Sequence, residues 1–78
     1  MRQGIRFMVR DPEDILAPGV ILKEYDQILA VPGEYELVQV NNHRYRVMED
    51  GVFWNFVHDG LFVTIQIVPE GSLKEMLE

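Results

Sequence analysis

Few side chains in this sequence are equipped to do covalent chemistry. Ser72 and Thr64 are the single serine and the single threonine, and cysteine is absent. A nucleophilic triad needs a hydroxyl or thiol beside an oriented base. Ser72 instead opens a Ser-Leu-Lys-Glu run that reads as a capping box, and Thr64 sits in an apolar run. None of the glycines forms GxGxxG or GxxxxGK[ST], so no phosphate-cradling loop is visible. The chain reads as a non-enzyme that carries no cofactor.

Two clusters of titratable residues stand out. The two histidines, His43 and His58, are expected at one end of a sheet with Asp59, near Asn41 and Asn42. Two imidazoles and a carboxylate suit a divalent transition metal or a proton relay. No HxH or HxxxH spacing supports such a site, and His, Asn and Asp are ordinary turn residues. His43, His58 and Asp59 are therefore weak metal candidates. At the opposite end Glu34, Glu36, Glu49 and Asp50 should gather. Paired carboxylates suit glycoside hydrolysis or a hard cation, but a solvated loop tip explains them as well.

The more promising group is made for binding. Tyr35, Arg44, Arg46, Trp54, Phe56 and Phe62 combine the residue types that dominate binding hot spots. Their alternation in sequence places them on one face, with Arg46 opposite Trp54 and Arg44 opposite Phe56. On that arrangement the guanidinium groups make bidentate contacts to partner carboxylates and the rings fill apolar pockets.

A sheet must position these residues. Ile5, Phe7 and Val9 alternate with Arg6, Met8 and Arg10, the period-two pattern of a half-buried strand. Asp11-Pro12 suits a helix N-cap followed by an N1 proline, which predicts a short turn through Leu16. Ile21, Leu22, Tyr25, Ile28 and Leu29 then fall on one helical face, predicting an amphipathic helix over Val20–Val31 that Pro32-Gly33 ends. A strand beginning at Val20-Ile21-Leu22 is the alternative, as the first strand of a small SH3-like or OB-like barrel. Glu34–Val40, His43–Met48, Val52–Val57 and Leu61–Val68 read as strands, joined at Asn41-Asn42, Glu49-Asp50-Gly51 and His58-Asp59-Gly60. A terminal helix is expected from Ser72, with Leu73, Met76 and Leu77 on one side.

The fold class expected is α+β: a four- to five-stranded antiparallel β-meander with one helix packed on one face. The loops set the register, with Val40 opposite His43, Met48 opposite Val52 and Val57 opposite Leu61. Val38, Val40, Tyr45, Val47, Phe53, Val57, Leu61, Val63, Ile65 and Ile67 then form the core face, and the Arg/aromatic set takes the other face.

Composition frames the rest. The chain has 78 residues, enough for one domain over 1–78, and is 47% apolar and 26% charged, a globular balance. Without disulfides a core of this size supplies a net of only ~3–5 kcal/mol, which favours association with a copy or a partner. A formal charge of −6 argues against a general DNA-coating role. No apolar run is long enough for a membrane span or a signal peptide, so a cytoplasmic location is expected, and the absence of cysteine removes disulfides and thiolate zinc sites together. The functional expectation is a small non-enzymatic interaction module or accessory subunit, associating with itself or with a protein partner through the Arg/aromatic face. The alternatives are a single-stranded nucleic-acid binder, an acidic inhibitor of a nucleic-acid-handling enzyme, and the histidine metal site.

Overall fold

A computed structural model describes residues 2–14, 16–57 and 59–70, with Val57 described by its backbone alone. The chain forms five strands: β1 (Arg2–Val9), β2 (Val20–Tyr25), β3 (Leu37–Val40), β4 (His43–Val57) and β5 (Gly60–Pro69). They make one sheet in the order β2-β1-β5-β4-β3. It curls into a mixed half-barrel. Among the described residues there is no helix packed on the sheet, and none long and apolar enough to cross a membrane.

The α+β meander is thus corrected in three places. The first is the helix expected over 20–31. Val20–Tyr25 is a strand antiparallel to β1, with Ile5 opposite Tyr25 and Val9 opposite Val20. A single helix of that length is marginal in water, whereas the strand pairs backbone groups that β1 would otherwise leave open. A register shift between Phe7 and Met8 leaves Leu22 as the extra residue, and Leu22 packs against the core. The helical spacing of the apolar residues comes from this bulge and the loop after it, which sends Ile28 back onto the core.

The second correction is strand direction. β1 lies beside β5 and parallel to it, with Arg2 opposite Gly60 and Val9 opposite Ile67. Both strands are apolar on alternate residues, so pairing the chain's first strand with its last puts Ile5, Phe7 and Val9 in line with Val63, Ile65 and Ile67.

The third is the middle of the expected meander. Glu49-Asp50-Gly51 does not reverse the chain, and Met48 does not face Val52. β4 runs through this triplet as one strand of 15 residues. Val47 faces Ile67 and Val52 faces Ile65, so residues 48–51 oppose Gln66 alone. Asp50 takes a left-handed φ of 54° within this bulge. A Cβ on Gly51 would stand 2.8 Å from the Met48 carbonyl and 2.9 Å from that of Gln66, so the glycine permits the close approach. An Asp-Gly pair serves a bulge as well as a hairpin. Here the length of β5 decides, because both halves of β4 pair with it while keeping Val47 and Val52 against the core.

Two short connections finish the frame. Asn41 and Asn42, with φ of 50° and 68°, make a two-residue turn that sets Val40 opposite His43. At the other hairpin Val57 faces Gly60, not Leu61. Gly60 belongs to β5, where its missing side chain admits the Arg2 carbonyl. Asp11 caps no helix; its Oδ1 accepts from the Glu13 amide in a turn. The terminal helix expected from Ser72 lies outside the described residues.

The core fills the concave face. Ile5, Val40, Val47, Val63, Ile65 and Ile67 are buried together, with Phe7, Val9, Leu22, Ile28, Val38, Tyr45 and Val52 packed on them. The β3–β4 hairpin curls over this face until the Asn41 side-chain amide donates to the Leu22 carbonyl at 3.4 Å. That contact brings the two ends of the sheet towards one another and leaves the opposite end of the concave face open.

Candidate interaction surface

A one-residue slip at the last hairpin moves the aromatic residues. With Val57 opposite Gly60, Trp54 faces Val63 and Phe56 faces Leu61. Facing residues share a face. Tyr25, Ile5, Val63 and Trp54 therefore stand in one row across the concave side, and Gln3, Leu61 and Phe56 form the next row outward. The inner members of the first row are buried, but Trp54 is 53% and Phe56 80% exposed. An open apolar cleft of about 470 Å³ lies on the β2 side of the same face, lined by Ile5, Phe7, Tyr25, Leu29 and Ala30 among others. The Phe7 and Tyr25 rings meet edge to face there, 6.3 Å apart.

The convex side is different in kind. Phe62 is 3% exposed and lies over Gly4, where any Cβ would strike its ring. The Arg6 and Arg2 guanidinium carbons stand 4.8 and 5.6 Å from the ring centroid. Each arginine also meets carboxylates: Arg6 reaches Glu24 at 3.8 Å, and Arg2 reaches Asp59 at 3.9 Å and Asp26 at 4.0 Å. Asn55 donates to the Thr64 hydroxyl at 3.4 Å on this side, and Phe53 beside it is 42% exposed.

The chain matches no protein-family model, no curated protein and no solved structure. Its function must be read from its own geometry.

That geometry divides the expected Arg/aromatic set. Trp54 and Phe56 stay together on the concave side. Arg46 faces Leu37 and Val68, and Arg44 faces Gln39, so neither lies opposite an aromatic ring. Arg46 donates through Nη1 to the Tyr35 carbonyl at 2.8 Å and reaches Glu70 at 3.9 Å, so its charge serves the fold. Phe62 is buried beneath arginines. Tyr35 sits in the turn before β3 with a φ of 64°. Desolvation and the carboxylates of Glu49, Glu34 and Asp50 raise its phenol above the ordinary 10.0, Glu49 also acting as an acceptor.

The histidine site loses its geometry. His43 begins β4 and Asp59 follows its far end, so they lie at opposite ends of the sheet. His58 lies outside the described residues, among which no group of His, Cys, Asp and Glu is arranged to hold a metal.

Reading the sequence by faces missed the backbone edge. β3 pairs with β4 only over residues 43–46, and the last bonds on that side join Val47 to Tyr35 and Glu36. Below Val47, no described strand flanks the outer side of β4. The Ile67 carbonyl accepts from Arg10 and the Asp59 carbonyl from Arg2, so odd-numbered residues at β5 turn their backbones towards β1. The even residues Phe62 and Thr64 therefore pair with Asn55 and Phe53, and Val52, Trp54 and Phe56 aim their N–H and C=O groups outward. The clue in the sequence is Val-Phe-Trp-Asn-Phe-Val, a run with no charge, proline or glycine.

Proposed function

We propose that this chain is a small non-enzymatic protein-interaction module that binds through the Trp54/Phe56 end of its concave face. One observation carries the reading. The largest aromatic residue of the chain stands half exposed beside a phenylalanine that is 80% exposed, on the same face as the buried Val63 and Ile65 that β4 pairs with. A soluble domain gains nothing by leaving such surface in water, and contiguous exposed apolar area marks interaction sites. A chain of 78 residues without disulfides also benefits from burying area against a partner.

The nucleic-acid alternative draws less support from the side chains. Stacking on Trp54 and Phe56 would need cations close by to follow the phosphates. Arg2, Arg6 and Arg46 are engaged with carboxylates away from those rings.

The test is the double variant Trp54→Ser/Phe56→Ser. Its thermal midpoint is expected within a few degrees of the parent's, while association measured by light scattering and by retention of purified binding partners is lost. A variant that unfolds, or one that associates as before, overturns the reading.

A further inference from the structure

The aromatic pair sits on a strand whose outer backbone is unpaired, and the two features together specify a mode of binding. We infer that the lower half of β4, Val52–Phe56, is a strand-addition edge whose occupant is the same edge of a second copy, joined antiparallel across a two-fold axis beside Trp54. The inference rests on the interaction reading above and names its partner.

Parity comes first. Val52, Trp54 and Phe56 are the residues whose N–H and C=O groups point away from β5. A two-fold at Trp54 sets Trp54 against Trp54 and Val52 against Phe56 of the copy. Every outward donor then meets an outward acceptor, in three facing pairs that each exchange two hydrogen bonds. The same operation places these side chains on one continuous concave face, with the indole rings side by side.

Charge is the second argument. Two copies each carrying −6 repel, so a homotypic contact needs a neutral strip. Val52–Val57 contains no ionisable side chain. Among the described edges β2 carries Lys23 and Glu24, and β3, which is also uncharged, offers only four residues.

The third argument is area. Phe53, Trp54 and Phe56 are 42, 53 and 80% exposed. At roughly 150–250 Å² per aromatic side chain they bring on the order of 300 Å² of apolar surface per copy. That total falls below the ~1,000 Å² of firm complexes, so the dimer is a weak one.

Sedimentation velocity on the whole chain tests this between about 10 μM and about 1 mM, the range a small interface implies. The average mass should rise from one chain towards two. Phe56→Lys places a cation on an exposed edge position, and Trp54→Pro deletes an outward N–H that the fold does not use. Each should weaken the dimer at least about tenfold, while far-UV circular dichroism shows the sheet intact. A parent chain that keeps the mass of one copy throughout overturns the inference. If Trp54→Ser/Phe56→Ser nevertheless abolishes binding to a different protein, the interaction reading stands without it. A dimer that survives both single variants overturns the inference as well.

Discussion

The curled sheet has two long open edges, and they are built differently. β2 is irregular: Leu22 is an extra residue turned into the core, its carbonyl accepts from Asn41, and Lys23 and Glu24 follow it. Bulges and charges are the usual devices that keep an edge from pairing with another chain. The lower half of β4 has neither. Its bulge lies above it, at residues 48–51, and from Val52 to Val57 it is regular, neutral and aromatic. An edge is dressed or bare independently of how well its strand contributes to the core.

The largest expected effect removes the frame that both edges share. Gly60 anchors the end of β5 against β1, and a Cβ there would meet the Arg2 carbonyl. Gly60→Ala must push the two strands apart where the Arg2 amide bonds to Asp59. We expect a loss of about 3 kcal/mol, most of the stability of a chain this small, read from the urea midpoint. An unchanged midpoint would mean that the β1–β5 pairing is not the frame.

A smaller effect separates the edges. Leu22→Ala on β2 takes apolar contact from the core and is expected to cost about 2 kcal/mol. Trp54→Ala on β4 removes a larger side chain that is half exposed, and should cost less than about 1 kcal/mol in dilute solution. Thermal unfolding of both variants checks the order. A reversal places Trp54 in the core and removes the contrast.

The sequence carried much of this, and its failures have one cause. Apolar alternation identified Ile5, Phe7 and Val9, and also Val47, Val63, Ile65 and Ile67, as core, and the Asn41-Asn42 turn lies where its residue types put it. The misread helix, the continuation of β4 and the slipped last hairpin each trace to a glycine or a bulge whose partner is distant in sequence, and the parallel pairing of β1 is itself such a distant contact. Gly51 was legible as a turn residue, but only the Gln66 carbonyl explains it. Gly60 closes no loop, because β1 comes to lie against it, and that one-residue difference carries Trp54 and Phe56 to the other face. Arg44 and Arg46 part from the rings for the other reason: β4 does not turn back at residues 49–51, so they share one strand with Trp54 and Phe56 and cannot face them. A local pattern states which residues alternate, while long-range pairing states where the count begins.

Undressing β2 sharpens the comparison from the other side. Lys23→Thr with Glu24→Thr removes both charges from that edge and keeps β propensity. Glu24 lies 3.8 Å from Arg6 in a partly exposed pair, so the stability cost should stay below about 1 kcal/mol. Self-association measured by sedimentation should nevertheless strengthen several-fold, because a second edge becomes available. If the mass distribution does not change, the bulge at Leu22 protects β2 without help from the charges.

The smallest effect lies at the boundary between the covered and bare halves of β4. Tyr35 donates its amide to the Val47 carbonyl, the last cover on that side, and Arg46 holds the Tyr35 carbonyl. The phenol is raised above 10.0, so the folded chain favours its protonated form. A group raised on folding contributes in full below its unfolded value, and that contribution is lost as pH climbs through the folded value. Stability should therefore hold up to about pH 10 and decline above it, as a phenolate forms beside Glu49, Glu34 and Asp50. Tyr35→Phe cannot ionise and should flatten that part of the alkaline decline. Thermal midpoints of parent and variant, compared on either side of about pH 10, provide the check. Parallel curves would mean that the turn at Tyr35 stays closed whatever its charge, and that the boundary of the bare edge is set by Arg46 and the backbone alone.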